Sequence, residues 1–140
     1  FKYETLETDY EFLHEDCNEL LIRLRKRGYE LGICTRRHDD PSGLLRRVGI
    51  MDLISAVTWS GVPGYAKPSP YTLFEAAELI GINPKLCVFV GNLVEVDVRA
   101  AQRAGMHPLL LTWGNPEESS KTEGRVIIKN DPLEILDVVG

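Results

Sequence analysis

A chain of 140 residues is long enough for one hydrophobic core, and 44% hydrophobic with 26% charged residues excludes wholesale disorder. The net charge of -5 leaves no overall positive footprint for a phosphate backbone, so nucleic acid is not an expected partner. No apolar run approaches the roughly 20 residues that span a bilayer, and the opening FKYETLETDYE lacks a signal-peptide core; no membrane partner is expected, and a cytoplasmic location is the simplest reading.

In chain order, a polar opening gives way to Asp16–Arg27, where Leu20, Leu21 and Leu24 fall at helical spacing and Arg23, Arg25, Lys26 and Arg27 crowd the last turn. This predicts an amphipathic helix closed by Gly28, with cations where the helix dipole favours them. Tyr29–Thr35, YELGICT, reads as a buried strand. RRHDDPSG is a loop in which Asp40 or Ser42 is placed to cap the helix through Leu44, Leu45, Val48 and Ile50. Leu53–Trp59 is a second strand, followed by the Gly/Pro-rich loop GVPGYAKPSP and a helix over Tyr71–Ile80 ended by Gly81. Leu86–Val90, LCVFV, is a third strand, then comes a helix from about Glu95 to Ala104 ended by Gly105. Pro108–Thr112 is a fourth strand, 114–124 a polar loop, Val126–Ile128 a short edge strand and Pro132–Val139 a last helix.

Strands alternate with helices, and the strands are continuous apolar runs rather than alternating ones. That pattern predicts an α/β fold, a Rossmann-like parallel sheet with helices on both faces, in a single domain over 1–140. The cysteines, Cys17, Cys34 and Cys87, are odd in number without C-x-x-C spacing, which reads as buried free thiols.

Ligands of an open parallel sheet bind beyond the carboxyl ends of its strands. The first strand ends there with Thr35, followed by Arg36 and Arg37; the loop after the second carries Lys67; the third is followed by Asn92 and Asp97. Thr35 has a hydroxyl and backbone N–H for an anionic oxygen, Lys67 a point charge for a phosphate or a neighbouring carboxylate, and Asp97 a carboxylate for Mg²⁺, directly or through water. Each has an ordinary alternative: a cap for Thr35, a solvated loop residue for Lys67, a helix-dipole partner for Asp97. His38 and His107 lie near this rim as ordinary loop residues, and Trp113 completes the side chains that could select a substrate. Neither GVPGY nor VGN matches a dinucleotide fingerprint or a P-loop.

The order and spacing say more than any one residue. LLIRLRKRGYELGICT, GYAKPSPYTLFEAAELIGINPKLCVFVGN and DVRAAQRAGMHPLLL resemble the haloacid dehalogenase-like hydrolases, in particular the phosphatase and dehalogenase branch whose cap is inserted early, over residues 17 to 139. Thr35 matches that family's second motif, Lys67-Pro68 its third, and Asn92 with Asp97 the position of its acidic fourth. The resemblance implies a Mg²⁺-dependent phosphatase acting on a small phosphorylated metabolite. Thr35 and Lys67 would be catalytic, Thr35, Arg36 and Lys67 would bind substrate, and Asn92 and Asp97 would hold the metal.

The chain departs from the family pattern twice. The first motif, an apolar strand ending in Asp-x-Asp whose first Asp is the nucleophile, has no counterpart; Asp9-Tyr10-Glu11 follows KYETLET, which is not an apolar strand. Asn92 also replaces the usual first acid of the fourth motif. In this family the nucleophile strand lies between the strand ending at Thr35 and the strand Leu86–Val90, so something must fill that slot. Either an upstream segment does so, this chain being the carboxyl-terminal part of a longer protein with residues 1–15 as linker, or Phe1–Leu6 serve as a substitute strand; the start at Phe1 rather than Met accords with a chain processed, trimmed or cut from something longer. A catalytically inactive binding or regulatory module is the alternative function.

Overall fold

A computed structural model describes residues 15–139. Phe1–Leu6, the substitute-strand candidate, and Asp9-Tyr10-Glu11 lie outside the described residues. Helices α1 (Glu15–Lys26), α2 (Ser42–Arg47), α3 (Tyr71–Ile80), α4 (Arg99–Ala104) and α5 (Ile135–Val139) alternate with strands β1 (Gly32–Thr35), β2 (Ala56–Trp59), β3 (Val88–Gly91), β4 (His107–Leu111) and β5 (Ile127–Lys129). Every described strand pair is parallel: β1 with β2, Thr35 opposite Trp59, and β3 with β4 and β4 with β5, Gly91 opposite Leu110.

Successive strand residues point to opposite faces, and both faces are covered. On one face Ile33 of β1 packs with Leu21 of α1 and Leu44 and Leu45 of α2, while Leu109 of β4 meets Leu20 and Leu24 of α1 and Ile135 and Leu136 of α5. On the other, Cys34 of β1 and Phe89 of β3 pack against Leu73, Ala76 and Ala77 of α3 and Ala100, Ala101 and Ala104 of α4. The alanines let α4 approach the sheet closely, and their position on one face is the sequence reason α4 lies where it does.

Several element edges differ from expectation. Met51–Leu53 form a 3₁₀ turn, so the second strand starts at Ala56. Pro84–Leu86 form another, leaving Leu86 78% exposed and starting the third strand at Val88. The last helix opens with a 3₁₀ turn, Pro132–Glu134, held by a capping box in which Asp131 Oδ1 accepts the Leu133 N–H at 2.9 Å and Glu134 Oε1 accepts the Asp131 N–H at 2.8 Å. The fifth strand is displaced by one residue, to Ile127–Lys129.

The cysteines are free thiols, Cys17 and Cys34 buried and Cys87 half-buried. Burial, reinforced by Asp16, pushes the Cys17 thiol up to about 12.

Among the described residues the strands form two groups, β1–β2 and β3–β4–β5, with no described strand hydrogen-bonded between β1 and β3. A cavity of about 210 Å³ runs there, lined by Ile33 and Cys34 of β1, Phe89 and Val90 of β3, Leu24 of α1 and Ile80 of α3. The family resemblance expects a central strand between β1 and β3, and residues of both line this cavity. No described helix is long and apolar enough to cross a membrane.

Candidate active site

The loop between β2 and α3 links the carboxyl ends of β1 and β3 at one rim, through contacts to the Cys34 carbonyl and to Asp97. Lys67, carried by that loop, is 3% exposed, which overturns its reading as a solvated side chain. Its Nζ donates to the Cys34 carbonyl at the end of β1 and to Asp97 Oδ1, each at 3.0 Å, and lies 5.4 Å from the centroid of the Phe89 ring. The ammonium therefore ties the end of β1 to the corner after β3. Arg103 braces the same loop, donating through Nη1 to the Pro68 carbonyl at 3.1 Å.

The corner is built around Asp97. After β3 the chain makes one wide helical turn, Val94–Val98, in which the Val98 N–H reaches the Leu93 carbonyl at 3.3 Å, before continuing as α4. Such turns recur at functional sites because they redirect one side chain without ending the helix. Here the side chain is Asp97, whose Oδ2 accepts the N–H groups of Asn92 and Leu93, both at 3.2 Å. Side-chain exposure is 0% for Lys67 and 1% for Asp97, so this ion pair is wholly inside the protein.

Gly91 makes the fold-back possible. A Cβ there would stand 2.1 Å from Asp97 Cβ and 2.4 Å from its Cγ. Gly91→Ala is therefore expected to expel the Asp97 carboxylate from its position and to cost about 1–3 kcal/mol through overpacking, read as a lower urea midpoint with an unchanged slope.

Asn92 Oδ1 is buried and has no hydrogen-bond partner among the described residues. A buried carbonyl oxygen left in this state is anomalous unless a cation or water completes it. The amide oxygen thus fits a hard divalent cation, and the negative charge of Asp97 lies on the adjacent backbone. Both Asp97 oxygens already accept hydrogen bonds, so its part at such a cation is mainly charge and placement. Among the described residues no three His, Cys, Asp or Glu side chains cluster as a metal cage.

The remaining rim residues divide. Thr35 is buried and its Oγ1 lies 3.4 Å from the Arg37 backbone N–H, a long contact. Arg36 is exposed. Arg37 pairs with Asp39 at 3.5 Å and has a buried Nε with no hydrogen-bond partner among the described residues. The His38 ring lies against Gly61, where a Cβ would fall 2.4 Å from it. Trp113 is 42% exposed. His107 belongs elsewhere: it starts β4 opposite Val88, at the amino end of the sheet, with Nε2 2.8 Å from the Lys85 carbonyl. The expectation that it lies near the rim fails because a residue at the start of a strand in a parallel sheet stands at the amino end, away from the carboxyl rim.

One buried carboxylate at this corner was not legible in the sequence. Glu118 sits in the 114–124 segment expected to be a polar loop, yet it is 5% exposed and its Oε1 accepts the Val94 N–H at 2.9 Å. Lys121 first, and then that N–H, hold its carboxyl below the usual range, so it is an anion at neutral pH.

A family model for haloacid dehalogenase-like hydrolases matches residues 2–105. The chain belongs to this family. It is 32% identical over 136 residues to the glyceraldehyde 3-phosphate phosphatase of Methanopyrus kandleri, covering 90% of this chain and 56% of that protein. It is 28% identical over 122 residues to a phosphoglycolate phosphatase of Rhodospirillum rubrum, covering 86% and 50%. Among solved structures, a haloacid dehalogenase-like phosphatase from Thermococcus onnurineus superposes with a TM-score of 0.79 at 26% identity, covering all of this chain and 65% of that one. The chain spans about half the length of these curated relatives. The family fold agrees with the α/β architecture and parallel strands described above.

Proposed function

We propose that this chain is most of the core domain of a phosphatase that hydrolyses a small phosphorylated metabolite in the cytoplasm. The observation that carries the reading is the buried Lys67, which spans from the Cys34 carbonyl to Asp97 across the carboxyl ends of β1 and β3. Burying an ammonium is costly, and a fold keeps one where negative charge must be offset. The relatives named as phosphatases favour phosphate as the source of that charge. The free thiols accord with a reducing compartment.

In this reading an aspartate on a strand seated in the cavity between β1 and β3 attacks phosphorus. Its carboxylate oxygen forms the P–O bond as the alcohol oxygen leaves, and water then cleaves the aspartyl-phosphate. Thr35 holds the transferring phosphoryl oxygens, Arg36 meets the substrate at the rim, and Lys67 offsets charge on nucleophile and phosphate. Asn92 Oδ1 and the charge of Asp97 would hold Mg²⁺, which would supply positive charge against the phosphoryl oxygens. Turnover of an aryl phosphate by the whole protein, dependent on Mg²⁺ and abolished by Lys67→Ala, is the expected result; an inert whole protein overturns it. The neutral Asn92 favours a second reading, an inactive binding module, and that result would establish it.

A further inference from the structure

We propose that Glu118 is a positioning residue for the Asn92–Asp97 corner: its carboxylate fixes the Val94 N–H and thereby sets the direction in which Asn92 presents its amide oxygen. Carboxylates are almost never buried without a purpose-built partner. Glu117, its neighbour, is exposed, whereas Glu118 turns inward. The loop that carries it is self-braced: Pro116–Lys121 form a 3₁₀ segment in which Ser119 Oγ donates to the Pro116 carbonyl at 2.9 Å and Ser120 Oγ to the Glu117 carbonyl at 2.8 Å. Lys121 engages Oε2, which leaves Oε1 directed at Val94.

The corner's side of the contact explains the need. Asp97 Oδ2 takes the N–H groups of Asn92 and Leu93, and the next N–H in line, that of Val94, goes to Glu118. Two carboxylates, one local and one 24 residues further along the chain, thus hold consecutive backbone donors. Val94 is 1% exposed, so without Glu118 its N–H loses its acceptor inside the protein. Asp97 alone would then define the backbone from which the Asn92 side chain projects. A merely structural Glu118 would loosen the Val94, Val98 and Leu110 cluster as a whole. A positioning Glu118 acts first on 92–94.

The proposal rests on the reading of Asn92 as a cation ligand only in its second measurement. The first is amide hydrogen exchange of the whole protein with Glu118→Ala, Glu118→Gln and Glu118→Asp. Glu118→Ala is expected to speed exchange at Asn92, Leu93 and Val94 by roughly tenfold or more while Leu110 keeps its protection. Glu118→Gln, which retains an acceptor of the same reach, stays near the parent; Glu118→Asp, one methylene shorter, follows the alanine variant although it keeps the charge. Equal acceleration at Val94 and Leu110, or glutamine indistinguishable from alanine, overturns the proposal. If the alanine variant does not fold, the Gln and Asp pair decides on the same readout. The second measurement is the Mg²⁺ concentration that half-saturates thermal stabilisation, expected to rise in the Asp variant and not in the Gln variant. A parent that shows no Mg²⁺ response removes the ligand role of Asn92 and leaves the exchange result to judge Glu118.

Discussion

Lys67→Met in the whole protein is expected to abolish phosphatase turnover and to lower stability by about 3–5 kcal/mol, the cost of leaving one charge of a buried pair without its counter-charge. Asp97, 1% exposed in its side chain, would keep the N–H groups of Asn92 and Leu93 but lose the ammonium 3.0 Å from Oδ1. Asp97→Asn should cost a similar amount for the mirror reason, since a neutral amide removes the counter-charge of Lys67 and offers one acceptor oxygen where the carboxylate serves the ammonium through Oδ1 and two backbone N–H groups through Oδ2. The double variant Lys67→Met, Asp97→Asn is therefore expected to lose far less than the sum, because neither charge remains to be desolvated. Urea midpoints of the four proteins make the comparison. Additive losses would show that the two side chains do not act as a pair, whatever their separation. Turnover stays absent in the double variant even where stability returns, which separates the chemical role of Lys67 from its structural one.

The contrast between Lys67 and Glu118 shows what the sequence could disclose. The faces of the sheet were legible because strands covered on both sides are continuous apolar runs, as Gly32 to Cys34 and VFVG are. Helix ends were legible at Gly81 and Gly105, which take φ of 82° and 76° as left-handed caps. Lys67, an exposed-looking residue in a Gly/Pro loop, gained meaning only from its order between Thr35 and Asp97, which the family resemblance supplied. Glu118 had no such order: its partner is a backbone N–H distant in sequence, and backbone donors are the same at every residue. Leu86 misled for a related reason, since an apolar run does not show that Pro84 turns the chain before the strand begins.

Asn92→Asp carries the second large effect, and its sign depends on the metal. In the parent, Asn92 Oδ1 is a neutral orphan and its own N–H is bound to Asp97 Oδ2 at 3.2 Å. A carboxylate at 92 would bring a second negative charge against Asp97 in a partly buried corner, where like charges repel. Without divalent cation the variant is expected to be less stable than the parent, by about 1 kcal/mol or more, as like charges in a partly buried corner require. With Mg²⁺ the added charge becomes the more favourable ligand for a hard cation, and half-saturation is expected at a concentration roughly tenfold lower. Because a ligand that binds only the folded state stabilises it as the logarithm of one plus its concentration divided by Kd, rising Mg²⁺ should raise the melting temperature more in the variant than in the parent. Two melting series, one in chelator and one across Mg²⁺ concentrations, therefore bracket the site. A variant that gains no more from Mg²⁺ than the parent removes the cation from this corner and leaves Asn92 as the mark of an inactive fold.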